Sequence, residues 1–169
     1  MKNPIALLRA LGVGALLLFL LMVAILQLKI APYVAFLPQA TLGAYTDSAL
    51  VELGDELRTK GLDRLYKAVL LSIDFLFITI FGLWVMFVHM MRSAVSWRFW
   101  GVAIAALFMA LDFGEDMMLA ICMGLVTKGN LDPATLTAEV SAVHWVTLAK
   151  YAIFALCLMS AFIASRKRG

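Results

Sequence analysis

Four long stretches of mostly apolar residues run through the chain, at about 5–28, 68–88, 99–125 and 143–163. Each has the length of about 20 residues that a membrane-spanning helix needs. Hydrophobic residues make up 64% of the 169 residues and charged residues only 15%, against about 25% charged residues in soluble domains. The sequence therefore predicts an all-α, polytopic membrane protein, in which residues 1–169 form a single four-helix bundle in a lipid bilayer.

The segments that connect these stretches fall into two sets that differ in charge. One set holds no acidic residue, whereas the other holds acids as well as bases. Because cytoplasmic segments of membrane proteins are enriched in Lys and Arg, we expect the acid-free side, which includes both termini, to face the cytoplasm. The net charge of +3 is then a signal of topology, and the sequence predicts no nucleic-acid partner. The basic residues of the acid-free side are Lys2, Arg9, Arg92, Arg98, Arg166, Lys167 and Arg168.

The longest connection, at about 29–63, is predicted to lie outside and to contain a short amphipathic helix at about 47–60. Thr46 or Asp47 is a suitable N-cap, and Gly61 is a suitable residue just past the end. We consider two roles for this helix: a lid that packs on the end of the bundle, and a docking surface for another protein. Its apolar side consists of Leu50, Leu53 and Leu57.

Three acidic residues interrupt the third apolar stretch, namely Asp112, Glu115 and Asp116. Residues at i, i+3 and i+4 share one face of a helix, so we expect the three carboxylates to point in one direction. A charge at the centre of a membrane helix costs about 2.5–3.5 kcal/mol. These acids must therefore be protonated, be paired with cations or line a wet cavity. Small residues, which let helices approach closely, lie on roughly the opposite side, at Ala106, Ala110 and Gly114.

Polar residues of the other stretches are expected at a similar depth. At about 1.5 Å of rise per residue, Asp74, Asp116 and Lys150 all lie roughly 10 Å below the predicted outer interface. His144 lies one or two turns above Lys150, on a helix face that it shares with Thr147 and Tyr151. We expect the carboxylates to face the interior of the bundle. The candidate ligand or ion site comprises Asp74, Asp112, Glu115, Asp116, His144 and Lys150.

Three functions are compatible with this set of residues. The acids can bind or conduct a proton, a cation or a small polar ligand, in a protein that acts alone, as a homo-oligomer or as an accessory subunit of a larger membrane complex. They can instead serve a metal-dependent lipid transferase or hydrolase, with Asp112 and Asp116 as oxygen ligands of a divalent cation. They can also serve only to hold the helices together. Because the chain lacks HExxH, P-loop and CxxC motifs, the sequence assigns no cofactor and does not decide whether the protein is an enzyme.

Two segments of the sequence resemble a group of uncharacterised bacterial four-helix membrane proteins. The first is Leu-Tyr at 65–66 followed by Ser-Ile-Asp-Phe-Leu-Phe at 72–77, and the second is Leu-Asp-Phe-Gly-Glu-Asp at 111–116. Members of that group carry an aspartate in helix two and a D-x-x-E-polar motif in helix three, more often with Asn where this chain has Asp116. The resemblance implies a multi-pass protein of the bacterial inner membrane and implies no particular activity.

Overall fold

The computed structural model describes residues 3–38, 46–128 and 133–166, with side chains at all of these positions except 47 and 125–141. In that part of the chain every regular element is a helix and no strand occurs. The α-helices there are α1 (Pro4–Ile25), α2 (Asp47–Thr59), α3 (Asp63–Ala68), α4 (Phe75–Arg92), α5 (Val95–Lys128) and α6 (Pro133–Arg166). The fold is therefore all-α, as the sequence predicted.

Three helical stretches among the described residues are long and apolar enough to cross a membrane. They are Pro4–Tyr33, Asp63–Arg92 and Ala142–Arg166, and they indicate a membrane protein. The helix α5, which contains the predicted span at 99–125, is not one of the three. It is 34 residues long and packs against both α4 and α6, but it carries the three acids in its apolar stretch.

Two of the apolar stretches contain a π-helical turn, in which backbone hydrogen bonds run from i to i+5. One turn, Leu26–Ile30, follows α1 and leads into a short 3₁₀ turn at Ala31–Tyr33. The other, Val69–Asp74, joins α3 to α4. The predicted helix at 68–88 is therefore the central part of a longer continuous helix.

The ends of α2 follow from local hydrogen bonds. Thr46 Oγ1 accepts a hydrogen bond of 3.3 Å from a backbone N–H of the first turn, which makes Thr46 the N-cap. The side chain of the other candidate, Asp47, lies outside the described residues. At the far end Gly61 has a φ of 67°, and the N–H of Leu62 donates to the carbonyl of Leu57 at 2.7 Å. This is the Schellman arrangement, in which glycine avoids the strain of a left-handed conformation.

The leucine side of α2 is buried against the bundle. Leu50, Leu53 and Leu57 are each at most 1% exposed and pack in one cluster with residues of α5 such as Leu119. The side chain of Glu56 also accepts a hydrogen bond of 2.9 Å from the backbone N–H of Ala35, which ties α2 to the segment that follows α1. Among the two roles considered for this helix, these contacts favour the lid.

The buried interior contains two large apolar clusters with a polar layer between them. In α5, Asp112, Glu115 and Asp116 separate Phe108 in one cluster from Leu119 in the other. In the Asp63–Arg92 helix Asp74 likewise separates residues of one cluster from residues of the other, and Lys150 does so in α6. The cluster on the α2 side includes Tyr66, Val69, Leu70, Leu119, Cys122 and Val143, and the other includes Phe77, Ile78, Phe81, Ala105, Phe108 and Cys157.

The small-residue face of α5 does not bring another helix close. Ala106 and Ala110 are exposed, and a Cβ at Gly114 would meet no described atom within 4 Å. A close approach occurs instead at Gly101, where a Cβ would overlap the ring of His89. Within the described chain this face is therefore not closely packed; residue spacing identifies a helix face but not what lies opposite it.

Candidate functional site

Lys150 is the cation of the polar layer and joins α6 to α5. Its Nζ lies 2.8 Å from Asp112 Oδ1 and also pairs with Glu115 Oε2. The other oxygen of Glu115 accepts a hydrogen bond from Thr147 Oγ1, so both oxygens of this fully buried carboxylate have partners. A buried charge is tolerated only when it is paired and hydrogen-bonded. The ion pair between Glu115 and Lys150 therefore explains how both charged groups can be buried.

Asp116 is buried without such compensation. The residue is 3% exposed, and neither oxygen of its carboxylate has a hydrogen-bond partner in the described part of the chain. The strongest interactions of its charge are with the carboxylates of Asp74 and Asp112, which have the same sign. A buried carboxylate with acidic neighbours and no donor of its own requires a proton, a cation or another donor.

A cavity of about 290 Å³ reaches the polar layer from the side of α1. Asp74, Asp112, Lys150 and Tyr151 form its polar part, together with Gln27 of the first π turn. Asp116 is not among the residues of the wall; it follows Asp112 by one helical turn along α5, and its charge interacts with those of Asp74 and Asp112. The rest of the wall is apolar and consists of Phe19, Met22, Val23, Leu26, Leu37, Phe77, Phe108 and Phe154.

The structure brings five of the six candidate residues into one layer. Asp112, Glu115 and Lys150 are in direct contact, and Asp74 and Asp116 are buried beside them. The sixth, His144, lies nearer the start of α6. Its ring lies 5.8 Å from that of Trp145, and it precedes Lys150 by six residues of α6, or about 9 Å along the axis.

Three further residues contact the site or line its cavity. Thr147 lies three residues before Lys150 and four before Tyr151, and this spacing places it on a shared helix face with each of them. Gln27 was not a candidate, although it is the first polar residue after the long apolar run of the first stretch. A polar residue at the end of a span usually faces the interface, so only the cavity identifies Gln27 as part of the site.

The metal hypothesis gains no support from the arrangement. Among the described residues, no group of three or more His, Cys, Asp and Glu side chains is arranged to hold a metal ion. Asp112 and Asp116 remain the predicted pair for a divalent cation, but Asp112 is already engaged with Lys150. No protein-family model, curated protein or solved structure matches this chain.

Proposed function

We propose that this protein is a four-span membrane protein whose buried carboxylate layer binds or conducts a proton, a cation or a small polar ligand. The observation that carries the proposal is the Asp116 carboxylate, which is buried with no hydrogen-bond partner among the described residues. A layer that only held helices together would be expected to satisfy each acid as it satisfies Glu115. Asp116 instead has an unused capacity to accept a proton or a cation.

The proposal counts α5 as a membrane span in addition to the three apolar helical stretches. Its packing against both α4 and α6 supports a central position, and Lys150 offsets part of the acidic charge that lowers its hydropathy. Four crossings return the chain to its starting side, which agrees with the basic, acid-free segments at both termini and with a location in the bacterial inner membrane. The helix α2 then covers the opposite, outer end. A homo-oligomer or a larger membrane complex would supply the additional helices that a transport path needs.

A structural role is the second candidate, because Lys150 pairs Asp112 and Glu115 across the α5–α6 interface. The two functions differ in what happens when Asp112 and Asp116 lose their charge. Asn keeps the size of Asp and much of its hydrogen-bonding capacity, but it cannot bind a proton as a carboxylate does.

The test compares the wild type with the Asp112→Asn/Asp116→Asn double variant, purified in lipid nanodiscs. Thermal unfolding is recorded from pH 5 to 9 and in Na⁺, K⁺ and Mg²⁺ chloride series at constant ionic strength. We expect the midpoint of the wild type to depend on proton or cation concentration and that of the double variant to lose most of this dependence. Asp55→Asn, at an exposed position of α2, is the control and should behave as the wild type. An identical dependence in the wild type and the double variant would support the structural role.

A further inference from the structure

The cavity lies between two helices that do not pack tightly on each other. Its α1 wall includes Phe19, Met22 and Val23, and its α6 wall includes Tyr151 and Phe154. However, α1 packs mainly against α4 and against the π turn that precedes α4, whereas α6 packs mainly against α5 and α4. The cavity is thus a crevice between α1 and α6. Because Phe19 is 39% exposed on α1, the crevice adjoins the surface that would face lipid.

The two ends of the crevice have opposite chemical character. The α1 side is apolar, while the far side presents the carboxylates of Asp74 and Asp112 with Lys150 and Tyr151. A molecule that fills it must bury an apolar body and place a polar group at the carboxylates. Ligand pockets commonly combine apolar walls with a few polar groups in this way.

The charge of the polar end decides which head group fits. Four carboxyl groups, those of Asp74, Asp112, Glu115 and Asp116, share one ammonium group, that of Lys150, and this ammonium is already engaged with two of them. Asp116 has no donor among the described residues. An anionic head group would add a like charge, whereas an amine would bring a positive charge and N–H donors to Asp74 and Asp112, the two acids that line the crevice. Aromatic rings of the wall, such as those of Phe108 and Phe154, add a favourable surface for a cation.

We propose that the ligand of this site is a hydrophobic amine, which enters from the bilayer between α1 and α6 and places its ammonium group against Asp74 beside Asp112. This inference rests on the proposed function and names the ligand class of that site. The apolar body lies along Met22, Val23 and Phe154, and Gln27 lies at the rim of the crevice.

The probe is tritiated 4-phenylbutylamine, which combines an aromatic body with a primary amine. Binding is measured by scintillation proximity on the purified protein in phosphatidylcholine nanodiscs, with empty nanodiscs subtracted. We expect saturable binding, with competition by 4-phenylbutan-1-ol at least tenfold weaker than by the unlabelled amine. The Asp74→Asn variant should weaken binding at least tenfold.

A second pair of variants leaves the acids unchanged. Val23→Trp places a large ring in the α1 wall of the crevice and should abolish amine binding. Leu20→Trp, on the same helix but 52% exposed and outside the crevice, should bind as the wild type does. If Asp74→Asn does not fold, the comparison of Val23→Trp with Leu20→Trp still tests the proposal.

Three results would overturn the inference: no saturable binding, equal competition by the alcohol, or unchanged binding in Val23→Trp. The measurements distinguish failure of the amine proposal from failure of the proposed function. In the first case the wild type still shows the proton or cation dependence that Asp112→Asn/Asp116→Asn removes. In the second case that dependence is the same in both proteins.

Discussion

Replacing Lys150 by Met tests the role of the cation that pairs with Asp112 and Glu115 in the polar layer. The side chain is buried with its residue 8% exposed, and its partners Asp112 and Glu115 are 3% and 0% exposed. Removing one partner of a buried ion pair costs about 3–5 kcal/mol, because the remaining charge stays buried without compensation. Met has a similar length and volume, so no large cavity adds to the loss. We therefore expect Lys150→Met to lower the free energy of unfolding by about 3–5 kcal/mol at neutral pH.

The assay is reversible unfolding by SDS in mixed micelles, followed by circular dichroism. Adding Glu115→Gln to Lys150→Met removes one of the uncompensated charges and should recover about 0.5–3 kcal/mol, the range of coupling between contacting residues. The deficit of Lys150→Met should also shrink as the pH falls, since protonation neutralises the acids left behind. Lys60→Met, at the exposed end of α2, is the control. A loss below about 1 kcal/mol for Lys150→Met, or no recovery in the double variant, would refute this reasoning.

Three other outcomes are expected. Gly101→Ala should destabilise the protein by about 1–3 kcal/mol, because the new Cβ overlaps the ring of His89, which is hydrogen-bonded to Ser93 at 2.9 Å. Its control, Gly114→Ala, places the Cβ in open space and should be neutral or stabilising by up to about 1 kcal/mol. Equal effects of the two substitutions in thermal unfolding would contradict this prediction. Leu53→Ala should cost about 2–5 kcal/mol in the same measurement, and a negligible loss would contradict the lid packing of α2. Reporter fusions at the C-terminus and within α2 should report opposite sides of the membrane, and the same side for both would disprove the proposed topology.

The sequence predicted the depth of the polar layer better than its contacts. Depth follows from the rise of a helix, which is nearly constant, so counting residues from the ends of the apolar stretches placed Asp74, Asp116 and Lys150 together. The rotation of each helix about its axis is set by packing and has no comparable signal. Depth therefore groups His144 with the cluster, whereas the neighbours that each side chain meets depend on this rotation.

The partners of individual acids were also beyond the sequence. Asp112, Glu115 and Asp116 have almost the same spacing signal, yet Glu115 has two partners and Asp116 has none among the described residues. The difference depends on where Lys150 and Thr147 of α6 meet α5. Two residues that share a helix face are distinguished only by the helix that lies opposite.

The two π turns show why a regular helical period did not reveal the cavity. Leu26–Ile30 contains Gln27, and Val69–Asp74 ends on Asp74; both residues line the crevice. On a regular α-helix the side chain of Asp74, eight residues after Tyr66, would point about 80° away from that of Tyr66 around the helix axis. A π turn absorbs one extra residue, so this offset falls to about 20°. The π turn thus keeps Asp74 on the buried face of Tyr66, and a carboxylate that regular spacing would turn away from that face instead lies in the polar end of the crevice.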